Sequence, residues 1–514
     1  MAADIKNIVI IGGGTAGWLA ASLLAARHGA APESGLSVTL IESPDIPTIG
    51  VGEGTWPTIR DTLKRIGISE SEFLSECDAS FKQGSRFDGW INGASDDSYL
   101  HPFSAPINGS AADIHMAWKA QANRTFASTI SVQSEICAHD LAPRQVSMPP
   151  YQGVVNYAYH LDAGKLATLL TRHATEKLGV KHVRDHVTRI ESHENGDIKA
   201  VGTQNNGLFF GDFFIDCSGM RSLILANHFN IGFRDQSHIL FNDRALAVHI
   251  PVEQDTAIAS QTISTAHEAG WVWDIGLPTR RGIGLVYASE YNTDEAARKT
   301  LKHYIQKAFP AYDEGLNIRE IAFKSGYREK FWHRNCLAIG MSAGFLEPLE
   351  ASAIVMIELA SKFLSDNFPK NREMMALMEK RFNDLFSYRW GRIIDFLKLH
   401  YVLSKRPQPY WQDNRKVETI PARLRELLEL WKYQPPSEVD FPHREEIFPA
   451  ASYQYILYGM GFATRIDPSL RPLNGAEIAH NISLIKQQKR KLIAGLPSNR
   501  ALLSQLHPIA ELQS

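Results

Sequence analysis

A glycine-rich turn near the start of the chain limits the fold more than any other feature. The apolar, β-branched run Ile8–Ile11 predicts a buried parallel strand. It leads into Gly12-Gly13-Gly14-Thr15-Ala16-Gly17, and residues Trp18 to Arg27 have helical character. Glycines in this spacing let the chain turn tightly and bring backbone N–H groups against a pyrophosphate at the helix N-terminus. The pattern therefore predicts a dinucleotide site that includes Gly12, Gly14, Thr15, Ala16 and Gly17.

A second strand and an acidic residue extend this site. The strand is predicted from Leu36 to Ile41 and completes a β-α-β unit. Glu42 follows at the end of the strand, where a carboxylate can accept hydrogen bonds from an adenosine ribose. A glycine-rich turn without a ligand is the alternative. Because strand, turn, helix and acidic residue occur together, we favour the dinucleotide site.

Two later segments favour FAD over NAD as the dinucleotide. The run Phe213–Ile215 leads into Asp216-Cys217-Ser218-Gly219, and Leu337–Ile339 leads into Gly340. Both predict a strand that ends at a glycine turn, as in FAD enzymes whose second and third flavin contacts come late in the chain. The sequence carries one G-x-G-x-x-G fingerprint, so no separate NAD(P)H site is predicted.

The rest of the chain divides into a sheet-rich middle and a helical end. Short strand-like runs, including Leu208–Ile215, extend from about 90 to 330 and predict a mixed sheet. From Pro369 onward the pattern is helical, with a mostly apolar face predicted from Met374 to His400. We therefore expect an α/β fold. Its FAD-binding core spans 1–368 and contains an inserted substrate-side sheet at about 90–330, and an α-helical region at 369–514 covers the substrate site.

Composition and charge narrow the class of protein. With 44% apolar and 21% charged residues, the chain can bury a core and is not disordered. A net charge of −2 gives no basic field for nucleic acid or an anionic membrane. Four scattered cysteines predict neither a disulfide scaffold nor a zinc site, and no metal is expected. The first residues lead directly into a strand without a signal peptide pattern, so we expect a cytoplasmic protein.

Several motifs in a fixed order resemble the flavin-dependent halogenases of the tryptophan-halogenase family, over most of the chain. Besides the glycine turn, the matching segments are Val51–Pro57 (VGEGTWP), Ser80–Lys82 (SFK), Tyr157–Asp162 (YAYHLD), Trp271–Pro278 (WVWDIGLP) and Phe345–Glu350 (FLEPLE). The resemblance implies a Rossmann-like core of the GR2-type flavin monooxygenases, with Glu53 and Gly340 at the FAD. It also implies that reduced FAD (FADH2), oxygen and chloride or bromide give hypohalous acid, which passes to a separate aromatic site.

Two residues match catalytic positions of this family. Lys82 corresponds to its essential lysine, since a buried donor must hold and orient the promiscuous oxidant or form a haloamine. Considered alone, Lys82 would be interpreted as a solvated surface lysine. Glu350 corresponds to a carboxylate that polarises the electrophile or accepts the proton lost from the ring. The alternative for Glu350 is an acid that caps a helix or stabilises its first turn.

The resemblance also implies where halide and flavin are held. Halide would bind backbone N–H groups around Ser352 and Ala353 at a helix start. The chain has Ala-Ser-Ala at 351–353 where the family commonly has Ser-Thr-Gly, and the sequence does not decide between chloride and bromide. Trp271 and Trp273 match an element that keeps the substrate away from the flavin; two tryptophans that fill the core from one strand are the alternative.

Substrate preference is predicted from the aromatic site. The resemblance places His101 and Phe103 against the indole ring, and Tyr453 at the substrate. Tryptophan-specific members hold the amino-acid end with two adjacent tyrosines and a glutamate, whereas this chain has Ser452 at the first tyrosine and Gly459 at the glutamate. A buried ammonium without a counter-charge is costly. Indole or another simple electron-rich aromatic is therefore the expected substrate, rather than free tryptophan, and a larger tethered or peptidic aromatic is the alternative.

Two other functions are compatible with a flavin core. An aromatic hydroxylase would transfer oxygen directly and needs neither Lys82 nor a tryptophan barrier. A non-catalytic flavin-binding protein would yield no halogenated arene. For the halogenase, the lack of a second nucleotide fingerprint implies a separate NAD(P)H-dependent flavin reductase as partner.

Overall fold

The computed structural model describes residues 4–30, 35–46, 53–121, 124–310, 312 and 315–506. Val51 and Gly52 of the Val51–Pro57 motif lie outside the described residues. The chain forms two compact units, the first from 1–79, 161–236 and 324–390, and the second from 80–160, 237–323 and 391–514. Neither unit coincides with the predicted division at residue 368, which stays a prediction.

The strands are numbered along the chain. They are β1 Asn7–Ile11, β2 Ser37–Glu42, β3 Glu53–Gly54, β4 Ser80–Lys82, β5 Gly84–Asp88, β6 Ser98–Pro102, β7 Ala158–Leu161, β8 Lys181–Arg184, β9 Val187–Ser192, β10 Ile198–Thr203, β11 Leu208–Phe210, β12 Phe213–Asp216, β13 Phe233–Asp235, β14 Arg244–Pro251, β15 Thr262–His267, β16 Gly270–Gly276, β17 Arg280–Tyr287, β18 Arg319–Ala322, β19 Gly326–Arg328, β20 Trp332–His333, β21 Cys336–Ala338 and β22 Gly344–Phe345.

The α-helices are numbered in the same way. They are α1 Thr15–His28, α2 Ile59–Ile66, α3 Glu70–Glu76, α4 Ala111–Lys119, α5 Phe126–Ile130, α6 Gln133–Ala138, α7 Ala163–Glu176, α8 Asp294–Ala308, α9 Ser352–Asp366, α10 Arg372–Val402, α11 Pro409–Asp413, α12 Ala422–Leu430, α13 Ala450–Gly459, α14 Gly475–Gly495 and α15 Asn499–Leu506.

The first unit is built on a sheet with strand order β20-β21-β12-β1-β2-β8. Its strands are parallel except for β20, which pairs antiparallel with β21. The apolar side chains of β1 are buried, as its β-branched sequence predicts for a parallel strand covered on both faces. Register places Ile11 opposite Asp216, and Asp216 opposite Ala338, so the carboxyl ends of β1, β12 and β21 lie side by side.

The predicted strand Leu208–Ile215 is wrong, because the chain forms two strands there. β11 pairs antiparallel with β10, whereas β12 joins β1 in the parallel sheet. Gly211 and Asp212 separate them. The Asp212 carboxylate accepts hydrogen bonds from the backbone N–H groups of Lys6 and Asn7, at 2.9 and 2.8 Å. This side-chain to backbone contact replaces strand pairing at the break.

The second unit contains the mixed sheet that the middle of the sequence predicts. Its strand order is β18-β14-β17-β16-β15-β5-β6, with β15 and β5 parallel and the other pairs antiparallel. One face of β14 and β17 packs against α8 through Leu301 and Ile305. Alternation of apolar side chains along these strands produces that buried face.

The long helix α10 begins in the first unit and ends in the second. Its predicted apolar face is off by one position at the start, since Met374 is 38% exposed and Met375 is 1% exposed. Met375 lies seven residues, or two helical turns, before the buried Phe382, so these two residues share a face. Within the described part of the chain, no helix is both long and apolar enough to cross a membrane.

Candidate active site

The first unit brings the three predicted glycine turns together. A Cβ at Gly12 would lie 2.1 Å from the backbone oxygen of Cys217, and a Cβ at Gly340 would lie 2.8 Å from the Cβ of Ala16. The turns after β1, β12 and β21 therefore meet at the carboxyl edge of the parallel sheet. This edge is where open α/β sheets bind their ligands.

The first turn is packed on the protein side and open on the other. A Cβ at Gly17 would lie 1.9 Å from the oxygen of Gly12, whereas a Cβ at Gly14 would meet no atom within 4 Å. Gly14 is the N-cap of α1, and no side chain caps the helix. The open side thus presents backbone N–H groups of Gly14, Thr15 and Ala16, which suit a pyrophosphate. This cradle fits an FAD phosphate group.

Glu42 lies against the same turn. A Cβ at Gly13 would fall 2.2 Å from its carboxyl carbon, and its Oε2 lies 2.8 Å from His182 Nε2. The His182 ring also packs edge-on against Trp18, with 4.8 Å between the ring centroids. Gly13 and His182 were not predicted as site residues. The run of three glycines is the signal that could have identified Gly13; His182 has no recognisable motif.

Glu53, a predicted cofactor residue, lies at the start of the two-residue strand β3. Burial raises the pKa of Glu53 to about 7. A carboxyl group that is partly protonated at neutral pH can donate a hydrogen bond as well as accept one. Its assignment to the cofactor stays a prediction.

Glu350 stands in a strained loop immediately before α9. Glu350 and Ala351 both have left-handed backbone conformations, with φ of 62° and 55°. The indole N–H of Trp56 donates to the backbone oxygen of Glu350 at 2.8 Å. Left-handed backbone at non-glycine residues costs about 1–2 kcal/mol each and is often retained at functional sites. Ala351 is the N-cap and no side chain caps α9, so Glu350 does not cap this helix. Glu350 does lie in the short 3-10 turn that leads into α9, so the first-turn alternative and the catalytic role both stay predictions.

Ser352 and Ala353 form the first turn of α9. Among the described residues, no side chain caps this helix, so its first backbone N–H groups have no side-chain acceptor at the N-cap. The alanine in the sequence Ala-Ser-Ala adopts the left-handed conformation for which glycine is the usual choice. This geometry suits an anion, and the halide role stays a prediction.

Lys82 ends the short strand β4 in the second unit and is 1% exposed. Its Nζ lies 5.4 Å from the centroid of the Phe103 ring. The surface-lysine alternative is therefore wrong. The structure places Lys82 and Phe103, two of the predicted site residues, in direct contact.

Trp271 and Trp273 lie on the same face of β16, with 6.3 Å between ring centroids. Trp271 packs against Trp90, as expected for a core residue. The ring of Trp273 occupies the space above Gly284 on the neighbouring strand, where a Cβ would lie 1.9 Å from a ring carbon. Among the described residues, the Trp273 indole N–H has no hydrogen-bond partner. Whether these rings separate flavin from substrate stays a prediction.

The serine that replaces the first family tyrosine holds His101. Ser452 Oγ and His101 Nε2 lie 3.0 Å apart. Tyr455, one helical turn further along α13, packs against the His101 ring at 6.1 Å and donates its hydroxyl to the Ser104 oxygen at 3.0 Å. Tyr453 points elsewhere on α13 and is fully buried against Phe396 and other rings. The structure thus places Tyr455, which sequence reasoning missed, beside His101.

Gly459 is closed off by an aromatic ring. A Cβ at this position would lie 2.7 Å from the ring of Tyr99. The Tyr99 hydroxyl is fixed in turn by His400 Nδ1 at 2.9 Å. A carboxylate side chain at 459 is therefore excluded by packing as well as by sequence.

The fold is of the Rossmann-type dinucleotide-binding class, and its second unit buries a lysine against an aromatic ring. The family model described as Tryptophan halogenase matches residues 7–474. Tryptophan 6-halogenase SttH from Streptomyces toxytricini is 34% identical, over 96% of each chain. A solved tryptophan halogenase from Shewanella frigidimarina superposes with a TM-score of 0.94, at 45% identity and 98% coverage of each chain. Tar14, a tryptophan C-6 flavin-dependent halogenase (chlorinase) from taromycin biosynthesis, superposes at 0.89 with 32% identity, covering 98% of this chain and 99% of its own.

The chain belongs to the tryptophan halogenase family. The predicted fold and the predicted class, a flavin-dependent halogenase, are confirmed. The family resemblance read from the scattered motifs is confirmed with them.

Proposed function

We propose that this enzyme uses FADH2, oxygen and halide to halogenate indole or another simple electron-rich aromatic. The observation that carries the proposal is the burial of Lys82 against the Phe103 ring. A buried ammonium is costly, so a fold retains one where its charge or its reactivity is used. Because Lys82 lies beside the proposed aromatic site, its amine would hold an electrophilic halogen and deliver it to the arene.

The first unit supplies the residues that would hold the cofactor. Gly14, Thr15 and Ala16 would bind the pyrophosphate through backbone N–H groups, and Glu42 would bind the ribose. When bound, reduced FAD supplies the electrons with which oxygen and halide give hypohalous acid. The uncapped first turn of α9, at Ser352 and Ala353, would hold chloride or bromide.

Residues of the second unit would direct the halogen to the arene. His101, fixed by Ser452, and Phe103 would stack against the substrate ring. Lys82 would hold hypohalous acid or carry the halogen as a haloamine. For Glu350, which belongs to the first unit, the role of proton acceptor stays a prediction.

The closed position at Gly459 supports a substrate without an ammonium group. Tyr99 fills the space that a side chain at residue 459 would need. A free amino acid bound with its ring against His101 would bury an unpaired ammonium there, at a cost of several kcal/mol. Indole avoids that cost.

Product analysis tests the proposal. The chain is incubated with FAD, NADH, a flavin reductase and equal chloride and bromide, and an equimolar mixture of indole and tryptophan is analysed by mass spectrometry. We expect haloindole as the main product and no product without reductase. Hydroxyindole would support the hydroxylase instead, and a clear preference for tryptophan would refute the substrate assignment.

A further inference from the structure

His160 lies on the same strand ribbon as Lys82. β4 and β7 pair antiparallel, with Ser80 opposite His160 and Lys82 opposite Ala158. Residues two apart on a strand, and residues directly opposite each other, share one face of the ribbon. Lys82 and His160 are therefore diagonal neighbours on one face, within reach of a lysine side chain.

Two hydrogen bonds show that the ribbon face carrying Lys82 and His160 is turned towards the mixed sheet. Ser80 donates its hydroxyl to the backbone oxygen of Gly276 at 2.6 Å, and His160 Nε2 lies 2.8 Å from Thr262 Oγ1. Gly276 and Thr262 belong to β16 and β15, which are adjacent strands of the mixed sheet. The imidazole is thus held at one nitrogen by the sheet.

The second imidazole nitrogen is buried with no hydrogen-bond partner among the described residues. His160 is 0% exposed, and this unpartnered atom is Nδ1. A buried polar atom left unpaired costs about 1–3 kcal/mol, so its retention needs a reason. Burial lowers the pKa of His160 well below its usual value, and the charge of Lys82 lowers it further. The imidazole is therefore neutral and has a lone pair to offer.

We infer that His160 is a positioning residue for Lys82. Its Nε2–H donates to Thr262, and its Nδ1 accepts a hydrogen bond from one water molecule to which the Lys82 ammonium donates. The contact fixes the amine for its encounter with hypohalous acid. This inference rests on the proposed role of Lys82 in halogen transfer and names a further residue of the same site.

Two substitutions of His160 test the roles of its two ring nitrogens separately. His160→Asn keeps a polar atom near the position of Nδ1, whereas His160→Gln keeps one near Nε2. The readout is haloindole formed per hypohalous acid released, with the free acid trapped by a small β-diketone. We expect His160→Asn to stay within about 3-fold of the wild-type ratio and His160→Gln to lower it about 10-fold, the size of one hydrogen bond to a charged group. Equal loss in both variants, loss in Asn alone, or no loss in either would overturn the inference.

A measurement without flavin or turnover tests the contact itself. The imidazole ¹⁵N resonances of His160 are recorded in the wild type and in Lys82→Met. We expect the Nδ1 resonance to move and Nε2 to stay, because Nδ1 loses a donor. An unmoved Nδ1 would overturn the inference, and this measurement decides the matter where a His160 variant fails to fold. If Lys82→Met still made haloindole, the proposed function of Lys82 would fail independently of this contact.

Discussion

At the scale of single residues, the aromatic site shows how a substituted position is accommodated. Ser452 is shorter than the tyrosine that tryptophan-specific members carry, and its hydroxyl now holds His101. At Gly459 the missing side chain leaves room for the Tyr99 ring. At both positions, contacts within the protein are found where the resemblance places groups that hold an amino acid.

Packing at Gly459 predicts the effect of adding one methyl group. Gly459→Ala should lower the free energy of unfolding by about 1–3 kcal/mol, because the new Cβ meets the Tyr99 ring at 2.7 Å. The matched control is Gly391→Ala in α10, where a Cβ meets nothing within 4 Å and alanine should stabilise the helix by about 0.5–1 kcal/mol. Urea denaturation of the two variants measures both effects. A neutral Gly459→Ala would contradict the closed position.

A buried carboxyl group predicts a pH dependence of stability. Glu358 of α9 accepts hydrogen bonds from the hydroxyls of Thr62 and Thr58, and burial raises the pKa of Glu358 to about 7. Between about pH 4.5 and 7, the Glu358 carboxyl group keeps its proton in the folded state but has released it in the unfolded state. The contribution of Glu358 to the free energy of unfolding is therefore lost as the pH rises through that window.

The isosteric variant Glu358→Gln isolates this group. Relative to the wild type, its free energy of unfolding should rise between pH 4.5 and pH 7, by up to about 3 kcal/mol. Taking the difference between the two proteins cancels the titration of other groups, including Glu53. Chemical denaturation at several pH values measures it, and a pH-independent difference would refute the prediction.

At the scale of elements, the glycine turn before α1 contains one glycine that packs against the protein and one that faces the predicted ligand site. Gly17→Ala should lower the free energy of unfolding by about 3 kcal/mol or more, since its Cβ would meet the Gly12 backbone oxygen at 1.9 Å. Gly14 has extended backbone, with φ −78° and ψ −176°, and open space. Gly14→Ala should therefore change stability by less than about 1 kcal/mol.

FAD affinity completes this comparison. Gly14→Ala should weaken FAD binding about 10-fold, because a methyl group would occupy the space of the approaching phosphate. Fluorescence titration of FAD measures the affinity in both variants. Unchanged FAD affinity in a stable Gly14→Ala protein would contradict the assignment of this turn to the cofactor.

Local patterns predicted most of these elements. The strand β1, the turn and α1 were all predicted from residues adjacent in sequence, because their signal is local. The break at Asp212 was not predicted, because the Asp212 carboxylate accepts hydrogen bonds from Lys6 and Asn7, which lie 206 and 205 residues earlier in the chain. Tyr455 was missed for a related reason. Which tyrosine of α13 faces His101 depends on the packing of the helix, which the alignment of the motif does not specify.

At the scale of the whole molecule, the predicted site residues are divided between the two units. The first holds the three glycine turns and the loop at Glu350, and the second holds Lys82, His101 and Phe103. In the proposed function, residues around the cofactor serve the formation of hypohalous acid, and Lys82, His101 and Phe103 serve its transfer to the arene. A lysine that serves the second step is not needed for the first.

Replacement of Lys82 tests this division most directly. In Lys82→Met, with FAD, NADH, reductase, bromide and indole, both haloindole and trapped hypohalous acid are measured against the rate of flavin oxidation. The proposed division predicts that haloindole falls at least about 100-fold, as expected when a catalytic group is lost, while hypohalous acid and flavin oxidation stay near wild-type levels. Wild-type haloindole formation in this variant, or a parallel loss of hypohalous acid, would contradict it.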